Sequence, residues 1–148
     1  MIALFIAMVI ASPQPLLPPP WESQPGRVAG QYASFVRNET DGTDSVLSAM
    51  GQACSVCNPG VLAQMTKNGV EGHYPSATAT RNALSICGRT ADRVIALGIA
   101  AADPRQDNFE IFFFRDGATM YTLAYTFRTP APMPDAESAL TALCPPSI

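Results

Sequence analysis

The chain has 148 residues, 47% of them apolar and 14% charged, and carries a net charge of −3. That length is one domain's worth, and the apolar share supports a real core, so global disorder is excluded. The nine basic residues are scattered between Arg27 and Arg128 with no run among them, which leaves no electrostatic footprint for nucleic acid or anionic lipid.

Residues Ile2 to Ala11 (IALFIAMVIA) are wholly apolar. Ten such residues fall short of the roughly 20 a membrane span needs, but they match the h-region of a signal peptide. Val9 and Ala11 put small residues before a cleavage point at Ser12. The segment carries no Lys or Arg, so a retained anchor is the competing reading. Residues 12–26 hold six of the fourteen prolines. Proline lacks the amide donor and fixes φ, so this stretch reads as an extended linker, with Trp21 docking it onto the domain. The expected organisation is a signal peptide over 1–11, a Pro-rich linker over 12–26 and one domain over 27–148.

Within the domain, Gly30 to Val36 predicts a strand and Asn38 to Asp44 a turn-rich acidic loop. Val46, Leu47, Met50 and Ala53 recur at helical spacing, which predicts a short helix over 45–53 capped by Thr43 or Asp44. A second helix has stronger punctuation. Asn58 caps it, Pro59 fits its first turn and Gly69 supplies a left-handed end, with Val61, Leu62 and Met65 as its apolar stripe. From Thr80 the period changes to two. Strands are predicted over 81–86, over 93–101, where both faces are apolar, and over 109–115, which is rich in aromatic residues. Asp116-Gly117 signals a tight hairpin. Thr119 to Phe127 alternates, with Tyr121, Leu123, Tyr125 and Phe127 on one face. Pro130, Pro132 and Pro134 stop the sheet. A last helix over 135–143 carries Ala136, Ala139, Leu140 and Leu143 on one side. The expected fold is α+β, an antiparallel β-meander packed by helices behind an export signal and a Pro-rich linker.

The run Cys87-Gly88-Arg89-Thr90-Ala91, the two strands about Asp116-Gly117, the sequence TLAYTF and the closing helix resemble the second half of the PsbP-like or Mog1-like α/β/α sandwich. The resemblance covers Cys87 to Cys144 and rests on pattern and a few residue types. It implies an exported accessory or binding domain without catalysis, and it transfers no site residue.

Four cysteines, Cys54, Cys57, Cys87 and Cys144, follow the export signal. An even count in that context reads as a disulfide framework. The spacing favours Cys54 with Cys57 and Cys87 with Cys144, although cross-pairing is also open. A redox role for Cys54 and Cys57 is the sharper alternative, because a CxxC at a helix start has a lowered thiol pKa. Against it, a helix rather than a strand is expected to lead into the motif. A zinc site of Cys54, Cys57, His73 and Cys87 is formally complete, but an oxidising compartment favours disulfides, and no metal or other cofactor is expected.

Catalytic constellations are hard to find. His73 is the sole histidine and has no nucleophile motif beside it. Glu110 is an acid in a strand, without an evident partner carboxylate for glycosidase chemistry. Asp41 to Asp44 lacks calcium-loop spacing. The excess of Arg over Lys with abundant Ala points to a bacterial source with a GC-rich genome, where the sequon Asn38-Glu39-Thr40 is silent.

Three functional expectations follow. The first is an extracytoplasmic (periplasmic or secreted) accessory domain that binds an envelope protein or ligand, with no catalytic residue and no stable membrane span. The second is a thiol–disulfide oxidoreductase using Cys54 and Cys57. The third is a small-ligand binder whose aromatic hairpin lines a pocket with Phe112, Phe114, Tyr121 and Tyr125.

Overall fold

The computed structural model describes residues 16–25 and 28–146. The expected signal peptide and the first part of the linker lie outside the described residues. Seven strands form one sheet: β1 (Glu22–Ser23), β2 (Gln31–Asn38), β3 (Asp44–Ala53), β4 (Thr78–Ile86), β5 (Arg89–Leu97), β6 (Asn108–Asp116) and β7 (Thr119–Phe127). Their spatial order is β1-β2-β3-β7-β6-β5-β4, and every neighbouring pair is antiparallel. Helix α1 (Pro59–His73) carries the chain from β3 to the far edge at β4, and the meander β4 to β7 returns to pair with β3. A one-turn helix α2 (Ile99–Ala102) follows β5, and α3 (Pro134–Thr141) closes the chain.

The sheet buries both faces, but unequally. On one face Phe35, Leu47, Phe112, Phe114, Leu123, Tyr125 and Phe127 pack under Ala136, Leu140 and Leu143 of the α3 region. On the other, α1 lays Ala63 and Val70 over Val94, Phe113, Ala96 and Ile99. The alternation in β7 is the cleanest cause of this layering. Leu123, Tyr125 and Phe127 are all fully buried, as period two demands of one sheet face.

Four sequence expectations are corrected. Residues 45–53 form a strand, not a helix: Ser45, Leu47 and Ala49 point into the α3-side core, while Val46, Ser48 and Met50 are half-buried on the opposite face. Helix α1 keeps its Asn58 cap, whose Oδ1 accepts from the Val61 amide, but it runs through Gly69 to His73. Its apolar stripe is displaced, since Ala63 and Val70 are buried while Val61 and Met65 are mostly exposed. The hairpin loop between β6 and β7 is Gly117-Ala118, because Asp116 still pairs with Thr119.

The segment expected as a linker is partly structural. Trp21 is buried in the core, and Glu22 and Ser23 pair with Val36 and Phe35 as an edge strand. Prolines flank that strand but do not enter it, which is how an edge tolerates a Pro-rich sequence.

Candidate functional site

Glu110 lies on the inward face of β6, opposite Ile95 of β5 and Tyr125 of β7. Its period-two neighbours, Phe112 and Phe114, are core residues. Glu110 is itself 0% exposed, yet neither carboxyl oxygen receives a hydrogen bond. Arg93 of β5 approaches Oε1 to 3.5 Å while its Nε donates to Asn82 of β4. Glu137 of α3 stands on the other side, close enough to share a proton with Glu110. Two carboxylates are both acceptors, so they make no bond to each other until one is protonated.

That arrangement fixes the protonation state. Burial first, then the bond to and charge of Glu137, push Glu110 up to about 8, and Arg93 only partly opposes them. Near neutral pH Glu110 is a neutral acid beside Glu137. The two residues bound a pocket of about 350 Å³ between α3 and the β4–β5 edge. Leu84 and Ile86 of β4 and Phe112 of β6 supply apolar wall, and Ser138 and Thr141 of α3 supply hydroxyls. The two carboxyls are in contact, whereas those that flank a glycosidic bond stand roughly 5 to 9 Å apart. The pair is suited to hold a proton or a cation, not to bracket a sugar linkage.

A second charged cluster is fully matched. Arg37 donates through Nε to Glu39 (2.8 Å) and through Nη1 to Asp135 (2.6 Å), and its guanidinium carbon lies 4.4 Å from the centre of the Trp21 ring. The bond from Arg37 holds Asp135 below the usual carboxylate range. This cluster ties the N-terminal segment, β2 and α3 together and has no orphaned group, so it is a clamp.

The structure joins Cys54 to Cys57 and Cys87 to Cys144. The first staple closes the turn between β3 and α1, where the Cys54 amide donates to the Ala118 carbonyl and Arg115 donates to the Cys57 carbonyl. The second binds the β4–β5 turn to the end of the α3 region. Both consume the thiols that a Cys₃His site requires. Disulfides of this kind persist in an oxidising compartment. No helix among the described residues is long and apolar enough to cross a membrane.

No protein-family model matches the chain, and no curated protein matches it.

The other sequence candidates fall outside the pocket. His73 ends α1 exposed to solvent. Asp41 accepts from the amide and hydroxyl of Thr43 and organises the β2–β3 turn. Phe114, Tyr121 and Tyr125 belong to the α3-side core, where Tyr121 stacks on Phe114 at 5.2 Å; of the four hairpin aromatics only Phe112 borders the pocket. Sequence reasoning considered Glu110 but missed its partners. The available signal was its place at the inward phase of a strand that otherwise buries Phe112 and Phe114.

Proposed function

We propose that the chain is an exported, disulfide-stapled accessory domain that binds an envelope component or ligand in the pocket at Glu110. The observation that carries this reading is a fully buried carboxyl that accepts no hydrogen bond and has Arg93 only at 3.5 Å, at the wall of a pocket. Buried polar groups are almost always satisfied, and an exception calls for a role. Two disulfides agree with export, and the resemblance of Cys87 to Cys144 to the PsbP-like or Mog1-like sandwich points to the same class of accessory domain. The test is an amide-resolved NMR titration of the oxidised protein with a panel of small cations, anions and neutral amides. At least one class is expected to move the resonances of Leu84 to Ile86 and Ser138 to Thr141 saturably. Silence from every class refutes the reading.

Thiol–disulfide exchange at Cys54 and Cys57 is a second reading, favoured by one correction above. A strand, β3, leads directly into the motif, and α1 starts two residues after Cys57. Val56 between the cysteines is 89% exposed, and Cys54 and Cys57 are half-buried. Replacing either Cys54 or Cys57 by Ser leaves the other thiol without a resolving neighbour. A mixed disulfide with an envelope protein supports this reading, and its absence in both variants removes it.

A further inference from the structure

We propose that the pocket between α3 and the β4–β5 edge recognises a primary ammonium group on an alkyl stem, held between the carboxyls of Glu110 and Glu137. The inference rests on the pocket being the binding site and names its ligand chemistry.

The argument starts from charge and donors. Glu110 is completely buried at the wall of the pocket; neither oxygen accepts a hydrogen bond, and Arg93 stands 3.5 Å from one of them as a counter-charge. A carboxylate presents about four lone-pair sites, so the deficit is one of donors. Each element packed against Glu110 has a defined contribution. From β5, Arg93 reaches one oxygen at 3.5 Å. From β7, Tyr125 lies opposite, its hydroxyl accepting from the Met133 amide and kept neutral by burial. From α3, Glu137 brings a second carboxylate. From β4 comes the neutral Asn82, which holds Arg93. With both acids ionised, two negative charges face one positive charge. A proton on Glu110 removes the imbalance, and so does one monovalent cation.

The lining selects among cations. An ammonium carries three donors. Two can go to Glu110 and Glu137, and the third to Oγ1 of Thr141, whose own hydrogen is committed to the Ser138 carbonyl. Leu84, Ile86 and Phe112 offer apolar wall to a methylene stem. A calcium ion wants six to eight oxygens, and two carboxyls beside a guanidinium do not provide them. Among the described residues there is no cluster of three or more potential metal ligands. An anion would meet Glu137.

The cation replaces the proton that Glu110 holds below about pH 8, so binding releases a proton and tightens as pH rises. The experiment titrates n-butylamine into the oxidised full chain and follows the amides of Leu84 to Ile86 and Ser138 to Thr141. Saturable shifts are expected, with affinity rising about tenfold per pH unit between pH 6 and 7.5, the slope of a single displaced proton. Tetramethylammonium, which has no donor, is expected to leave the amides unmoved. Glu110→Gln should weaken binding at least tenfold and flatten the pH dependence. Glu137→Gln, at a half-exposed position, should weaken it in a chain whose core is untouched. A capped lysine that binds tenfold tighter than n-butylamine identifies a protein lysine as the source, and 1,5-diaminopentane binding tighter identifies a free amine; either supports the inference. If acetate or acetamide moves these amides and no primary amine does, the inference falls while the pocket stands as a binding site. If no probe moves them, both fall.

Discussion

Replacing Glu110 by Gln should stabilise the protein increasingly as pH rises. Burial and Glu137 raise the Glu110 acid from 4.5 to about 8 in the folded chain. Between those values the folded state holds a proton that the unfolded state has lost, so stability falls with rising pH across that window. Below about pH 4.5 both states are protonated and the effect vanishes; above about pH 8 both are ionised and the loss levels off. The slope is about 1.4 kcal/mol per pH unit, and the total is at most about 5 kcal/mol. Gln matches the shape of the neutral acid, can donate to Glu137 as that acid does, and has no charge to lose or gain. The two proteins should therefore be nearly equal near pH 4.5 and diverge by several kcal/mol at pH 8. Urea unfolding at pH 5, 6, 7 and 8, with both disulfides intact, reads the difference directly. With a urea dependence of about 1–2 kcal/mol per molar, the midpoints should separate by roughly 1 M per pH unit. Titrations elsewhere in the chain cancel in the comparison. A midpoint difference that is constant across this range would refute the account of Glu110.

The staples and the clamp give further expectations. Converting Cys87 and Cys144 together to Ser opens a link between residues 57 apart and should lower stability by about 4 kcal/mol in the chain-entropy model, against about 2 kcal/mol for the short Cys54–Cys57 loop; urea unfolding of the two double variants, where equal losses would contradict loop closure as the cause, makes the comparison. Arg37→Ala leaves Glu39 buried and unpaired and uncovers the ring of Trp21. It should lose about 3 kcal/mol and red-shift the emission of the sole tryptophan, and an unshifted spectrum would argue against the clamp. Gly30→Ala should destabilise by about 2 kcal/mol, because Gly30 has φ +84° and its added methyl would run into the Gly51 carbonyl; a thermal midpoint within a degree of the parent would contradict that close approach.

Most strands and the start of α1 were legible because they rest on local physics, whereas Gly69 did not end the helix. β7 alternates from Thr122 to Phe127, Asn58-Pro59 starts α1, and the prolines after Phe127 end the sheet. β3 was misread because its two faces carry similar side chains. The inward set is Ser45, Leu47 and Ala49 and the outward set is Val46, Ser48 and Met50, so hydrophobic size does not mark the buried side. Val46, Leu47 and Met50 then imitate a helical stripe. The displaced face of α1 has the opposite cause. Ala63 is buried completely because a small side chain lets the helix lie close on the sheet, while the larger Val61 and Met65 point outward. Size alone predicts the reverse.

The site depended on register as well as on pattern. Period two puts Glu110 on the face of Phe112 and Phe114, and puts Arg93 on the face of Ala91, from sequence alone. Their meeting requires β5 beside β6, and Glu137 reaches Glu110 only if α3 crosses that same face. None of those pairings is written in a local motif. Once made, they distinguish this acid from the buried pair Arg37 and Glu39. Arg37 and Glu39 satisfy each other and hold three parts of the chain together, so removing one harms the fold. Glu110 has only Arg93 at 3.5 Å against burial and Glu137: its ionisation opposes folding at neutral pH, and an amide of the same shape should do its structural work better. A buried acid whose ionisation opposes the fold calls for a role, and Glu110 stands at the wall of a pocket with neither oxygen hydrogen-bonded.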